Sequence, residues 1–156
     1  MRKAVFAVML VFAASCAFAV ELPDSVNEWQ CVNEHITPLV PDATGESLGR
    51  VVYRDYERET PRGLVQVIMT DGTGTGSLYV PEKLNDSKGY LPTNSGYKLL
   101  TVAGHKSILE NYPYMPLALA VSVSDNVILT IESGSLNETE IVSFAEEILS
   151  RWSSTK

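Results

Sequence analysis

Residues 117–133 read LALAVSVSDNVILTIES. Two apolar runs with β-branched residues flank a short polar centre, and this pattern predicts a β-hairpin whose two-residue loop is Asp125-Asn126. Both faces of the predicted hairpin are apolar. We therefore expect its two strands to lie in the middle of an antiparallel sheet that is covered on both sides.

The predicted loop also determines which side chains share a face of this hairpin. A two-residue loop pairs Val123 with Ile128 and Val121 with Thr130. One face then carries Leu119, Val121, Val123 and Ile128, and the other carries Ala118, Ala120, Ser122, Leu129 and Ile131. Small residues allow a neighbouring element to approach closely, so we expect a helix to pack on the second face. The first face is expected to be covered by protein, from the segment around Trp29.

That helix is predicted at the C-terminus. One apolar stripe at helical spacing is formed by Ile141, Phe144, Ala145, Ile148, Leu149 and Trp152. Asn137 and Glu140 have the spacing of a capping box, and Leu136 against Ile141 would form a hydrophobic staple. The sequence therefore predicts an amphipathic helix that begins after Asn137 and belongs to the core.

Further strands are predicted upstream of the hairpin, at residues 51–56, 64–69, 77–80, 99–103 and 107–109. Residues 82–97 are polar and contain glycine and proline, which is typical of a long loop. The apolar residues of segment 22–37 fit both a short helix and a strand. The fold class predicted for residues 20–156 is a single α+β domain. Its twisted antiparallel sheet of about six or seven strands packs against the C-terminal helix. A short N-terminal helix is the alternative to a strand in segment 22–37.

Residues 1–19 predict a secretory signal peptide. Two basic residues precede an uninterrupted apolar run over residues 4–14, and Ala17 and Ala19 supply small residues at the −3 and −1 positions. The apolar run is too short to span a bilayer of roughly 30 Å. We expect cleavage after Ala19 and a soluble, exported protein in the periplasm or outside the cell.

Cys16 supports an alternative to a freely soluble product. The sequence around Ala13 and Cys16, AASC, loosely resembles the lipobox of bacterial lipoproteins, although that pattern prefers leucine where Ala13 stands. Acylation of Cys16 would give a membrane-anchored lipoprotein. Cys31 is then the one cysteine that certainly belongs to the mature domain, so no internal disulfide is expected.

The composition and motifs argue against several functions. The net charge is −7 and the hydrophobic fraction 45%, so we expect a globular domain that does not bind nucleic acid. Residues 45–49 match G-x-S-x-G without the preceding strand that a catalytic serine needs, and the glycine-rich residues 71–77 lack the lysine of a phosphate-binding loop. His35 and His105 have no ligand cluster at metal-binding spacing. We therefore expect no metal, no cofactor and no enzymatic activity; a hydrolase using Ser47 or His105 is a minor alternative.

Two aromatic loops are the candidate binding sites. Tyr112, Tyr114 and Met115 lie in a loop at residues 112–116 that is stiffened by Pro113 and Pro116, and Tyr90 and Tyr97 lie in the predicted loop 82–97. Tyrosine and methionine on constrained loops suit contacts with a partner or ligand.

The order of elements over residues 99–152 is strand, Gly104, strand, apolar hairpin and capped helix. It resembles small exported α+β domains of the PsbP-like kind, in which an antiparallel sheet packs against helices. That family contains non-catalytic accessory proteins of larger complexes, so the resemblance implies a binding role. We expect an accessory domain of the bacterial cell envelope that contacts a protein partner. The alternative is a carrier that holds an apolar small molecule or lipid on the apolar sheet face.

Overall fold

The computed structural model describes residues 21–39, 48–73, 75–76 and 96–153, which form eight β-strands and one α-helix. The strands are β1 (Ser25–Val26), β2 (Trp29–Pro38), β3 (Gly49–Arg58), β4 (Gly63–Gly72), β5 (Gly96–Val102), β6 (His105–Asn111), β7 (Leu117–Ser124) and β8 (Val127–Ser133), and the helix is α1 (Glu138–Ser153). The predicted signal peptide, Cys16, Ser47, Tyr90 and the strand predicted at 77–80 lie outside the described residues.

All eight strands form one antiparallel sheet in the order β1-β2-β3-β4-β8-β7-β6-β5. Strands β1 to β4 follow one another across one half of the sheet, and β8 to β5 complete the other half in reverse order. The two halves are joined where β4 pairs with β8. This arrangement confirms the antiparallel sheet with a C-terminal helix, but the described residues form eight strands and not six or seven.

Segment 22–37 forms strands β1 and β2, so the prediction of a possible short N-terminal helix was wrong. Asn27 has a φ of 51° and lies in the two-residue turn that pairs Val26 with Trp29. Asparagine tolerates this left-handed conformation, which a helix does not contain. From there β2 continues as an edge-side strand with Trp29 buried at its start and residues 32–38 exposed.

The central hairpin has the predicted loop but a different register. Ser124 pairs with Val127, as a loop at 125–126 requires, but the register then shifts within β7. Beyond this irregularity Ser122 pairs with Ile128, where we expected Val123. An extra residue in one strand moves every following side chain to the opposite face.

The shift places the large side chains of both strands on one face, which is the face that α1 covers. Leu119 pairs with Ile131, and Val121 pairs with Leu129, and all four are buried. The prediction that the helix packs over Ala118 and Ala120 was therefore wrong, because these lie on the opposite face. The bulged register lets one helix cover the bulky residues of both strands together.

Phe144 connects α1 to the first half of the sheet. Its ring meets Trp29 edge to face at a centroid distance of 6.0 Å, and meets Tyr56 in the same way at 5.7 Å. All three rings are buried. Trp29 is in addition covered by the guanidinium group of Arg58, which lies 4.5 Å from the ring centroid. Trp29 thus covers the same face as the helix, and not the opposite face as predicted.

The predicted capping box at the start of α1 is confirmed. The Glu140 carboxylate accepts a hydrogen bond of 2.8 Å from the Asn137 backbone N–H, and the Asn137 side chain accepts one of 3.0 Å from the Glu140 N–H. Leu136 and Ile141 are both part of the buried core, as a hydrophobic staple requires.

The helix contacts both edges of the sheet, β1 and β5. Its 16 residues span about 24 Å, whereas seven gaps between strands would separate the edges of a flat sheet by about 33 Å. The sheet therefore curls towards α1. Near the end of the helix, Arg151 donates to the backbone oxygen of Ser25 and Trp152 donates to that of Glu21, each over 2.7 Å.

The substitution Phe144→Ala tests this packing. We expect it to lower the free energy of unfolding by about 3–5 kcal/mol, because it empties a packed aromatic site that contacts two other rings. Urea unfolding monitored by tryptophan fluorescence measures the change. Ser143→Ala, at the exposed neighbouring position, is the control and should change stability by less than about 0.5 kcal/mol. Equal stability of Phe144→Ala and the parent protein would contradict this docking.

Candidate functional site

The loop between β6 and β7 contains a tight turn with an unusual residue in it. The Met115 N–H donates to the Tyr112 oxygen over 3.2 Å, Pro113 occupies the second position, and Tyr114 in the third position has a φ of 67°. This is the pattern of a type II turn, whose third position is normally glycine or asparagine. A tyrosine there imposes a backbone cost of roughly 1 kcal/mol.

The turn presents two large apolar side chains to solvent. Tyr114 is fully exposed and Met115 is 67% exposed. Proline on both sides restricts the backbone before and after them, so little conformational freedom would be lost on binding. The two side chains are therefore displayed in a fixed direction by a stiff loop.

Tyr97 and Tyr112 support this loop from the side of the sheet. Their rings meet edge to face with centroids 5.5 Å apart. Hydrogen bonding with Tyr97, followed by partial loss of solvent, raises the pKa of Tyr112 to about 12, and the charge of Glu110 adds to the effect. Glu110 lies directly opposite Tyr97 in the β5–β6 pairing, so all three groups lie on one face of the sheet.

The structure thus places four of the five predicted site residues at one end of the sheet. Tyr97 and Tyr112 pack together, and Tyr114 and Met115 extend from the same turn. Tyr90 lies outside the described residues. Strand β5 begins at Gly96, so Tyr97 belongs to a strand and not to the predicted loop.

The face of the sheet opposite α1, which we call the outer face, was missed as a functional surface by the sequence analysis. Residues directly across from one another on neighbouring strands share a face, and the register arranges the outer face in rows. One row, from β3 to β5, contains Asp55, Gln66, Glu132, Ala118, Glu110 and Tyr97. The next row contains Tyr53, Ile68, Thr130, Ala120, Ile108 and Leu99. An acidic row therefore runs beside a mainly apolar one and ends at the aromatic turn.

Over the described residues, the helix-side face offers no comparable free surface. It is filled by Trp29, Tyr56 and Phe144 and by the buried side chains of β4, β7 and β8. Among the described residues, every buried side-chain polar atom has a hydrogen-bond partner. A carrier that holds its ligand on this face would have to displace the packed helix.

An open cavity of about 550 Å³ lies beside β2, β3 and β4, near the Leu48 end of the sheet. Its lining includes the apolar side chains of Ile36 and Leu48. It also includes an ion pair, in which Arg50 Nε lies 3.9 Å from Asp71 Oδ2. None of the four described site residues, Tyr97, Tyr112, Tyr114 and Met115, lines it. Gly49, the second glycine of the G-x-S-x-G match, has a φ of 126°, and a side chain there would collide with the backbone of Asp71. Strand packing therefore accounts for this glycine.

In the described part of the chain, no group of three or more histidine, cysteine, aspartate or glutamate side chains is arranged to hold a metal ion. Within the same ranges, no helix is both long and apolar enough to cross a membrane.

Comparison of the chain with models of known protein families, with curated proteins and with solved structures found no match in any of the three.

The substitution Tyr112→Phe tests the tyrosine pair. Tyr112 and Tyr56 both have a pKa raised to about 12, while a tyrosine in an unfolded chain titrates near 10. The unfolded state therefore loses these protons first, and the stabilisation that is present below about pH 10 is lost as the pH rises towards 12.

Because the contribution of Tyr112 is removed while that of Tyr56 stays, we expect the free energy of unfolding to decline less steeply between pH 10 and 12 in Tyr112→Phe than in the parent. Urea unfolding at a series of pH values measures the slope. Met115→Leu, which removes no titratable group from the same turn, is the control and should keep the slope of the parent. An unchanged slope in Tyr112→Phe would contradict the raised pKa of Tyr112 and its hydrogen bond with Tyr97.

Proposed function

We propose that this chain is a non-enzymatic accessory domain, exported to the bacterial cell envelope, that binds a protein partner through the turn at residues 112–116. The observation that carries the proposal is the conformation of Tyr114. A fully exposed tyrosine occupies a turn position that favours glycine, so the side chain is present at the expense of backbone stability. Such a cost is expected where the side chain has a function outside the folded domain.

The chemistry of the turn fits a protein partner. Tyrosine and methionine are enriched in the centres of protein interfaces, and tyrosine is among the residues that contribute most to binding energy. Tyr114 and Met115 are adjacent and held by a stiff backbone, so they can enter a pocket together. The resemblance of residues 99–152 to PsbP-like accessory domains and the signal-like residues 1–19 support the same proposal.

The substitution Tyr114→Gly separates binding from stability. Glycine relieves the strained φ but increases the entropy of the unfolded chain, so we expect the free energy of unfolding to change by less than about 1 kcal/mol. Removal of the ring should weaken binding of the partner at least about tenfold. The partner is first captured from an envelope extract by a photo-crosslinker at Met115 and identified, and its affinity is then measured with purified proteins.

Ile36→Ala is the matched control, because Ile36 is 48% exposed but lies on β2 opposite the buried Val52, on the helix-side face and away from this turn. Its affinity for the partner should equal that of the parent. If Tyr114→Gly binds the partner as tightly as the parent, the turn is not the contact and the proposal is wrong.

A further inference from the structure

We propose that the outer face is a docking surface for a basic protein partner, which deepens the proposed function by naming the chemistry of the partner and depends on it. The face has no covering element among the described residues. Its acidic row and its apolar row run in parallel and lead directly to the aromatic turn through Tyr97.

The acidic row has a regular spacing. Asp55, Glu132 and Glu110 occupy the same row on β3, β8 and β6, so that one strand separates each carboxylate from the next. With strands about 4.8 Å apart, neighbouring carboxylates are about 10 Å apart. Three negative charges in line on one face repel one another, and a cationic surface laid across them would remove this repulsion.

The protein itself supplies little positive charge to this row. Within the described residues, none of the three carboxylates is within ion-pair distance of a lysine or arginine. Asp55 instead accepts hydrogen bonds from the amide groups of Asn33 and Gln66, over 3.1 and 3.2 Å. These neutral donors orient the carboxylate and leave its charge uncompensated.

The neighbouring row supplies apolar surface for the same partner. Ile68, Ile108 and Leu99 remain partly exposed, and Tyr53 is exposed. Six strands from β3 to β5 and two to three rows make a surface on the order of 500 Å². With Tyr114 and Met115 added, the area approaches the roughly 800 Å² that each partner contributes to an interface of ordinary size.

The negative charge of the acidic row determines which kind of partner can bind the outer face. A second copy of this chain would bring its own acidic row against this one, and an anionic membrane or nucleic acid would be repelled in the same way. A protein surface with lysine or arginine beside apolar side chains complements both rows. Electrostatic attraction of this kind speeds association and weakens as salt is added.

The test uses the purified protein and an amphipathic helical peptide of leucine and lysine as the probe, with a leucine–glutamate peptide of the same length as its control. We expect the lysine peptide to bind, with an affinity that falls as salt rises, and the glutamate peptide not to bind. The double variant Glu110→Gln/Glu132→Gln should lower the affinity about tenfold. Chemical-shift mapping by NMR should place the peptide on the outer face.

The matched control is Glu59→Gln/Glu146→Gln, which removes the same charge from exposed positions off the outer face. Its affinity should stay within about twofold of the parent. Equal weakening in the two double variants would overturn the proposal, because binding would then follow net charge alone. The proposal would also be overturned by equal binding to vesicles of anionic phospholipid, or by a dimer that buries this face.

Occupation of the face by another segment of this chain is the remaining alternative. It would appear as a lower melting temperature of Glu110→Gln/Glu132→Gln without any peptide, together with no peptide binding, and would overturn the proposal.

The failure of this proposal can be distinguished from the failure of the proposed function. If Tyr114→Gly abolishes capture of the envelope partner and the outer-face variant does not, only the outer face is excluded. If the peptide binds the outer face but no partner depends on Tyr114, the proposed function fails instead.

Discussion

The edge-to-face contacts of Phe144 with Trp29 and Tyr56 hold the two ends of the chain together. Phe144 lies on the last element, whereas Trp29 and Tyr56 lie on the second and third strands. Arg54 extends the same contact region by donating to the Leu22 oxygen over 2.6 Å, and Tyr56 donates to the Pro23 oxygen over 2.6 Å. The N-terminal segment, the sheet and the helix therefore all contact one another around Tyr56.

This single packing arrangement decides which surfaces remain for binding. One helix is enough to cover one face of the curled sheet, and among the described residues nothing comparable covers the other. Among the described residues, the uncovered face carries features that folding does not require: a line of carboxylates outside ion-pair distance of any lysine or arginine, and partly exposed isoleucines. The packed core and this line of carboxylates thus lie on opposite sides of the same strands.

Local sequence signals predicted the elements that depend on local interactions. The capping box of Asn137 and Glu140 and the loop at residues 125–126 were both found in the sequence and are present. The face of the hairpin was not predictable, because an irregularity near Val123 depends on the neighbouring strands and has no turn residue to mark it. For the site, proline and tyrosine marked the turn at residues 112–116. The acidic row escaped notice because its members come from strands that are distant in sequence.

The separation in sequence of Phe144 from its ring partners also determines when the protein can fold. A chain made from its N-terminus produces β1 to β4 first, with Trp29 and Tyr56 lacking the helix that buries them. The pairing of β4 with β8 likewise waits for the second half of the chain. Native stability is therefore gained only after β8 and α1 have been made, because these two elements complete the sheet and bury the rings of the earlier strands.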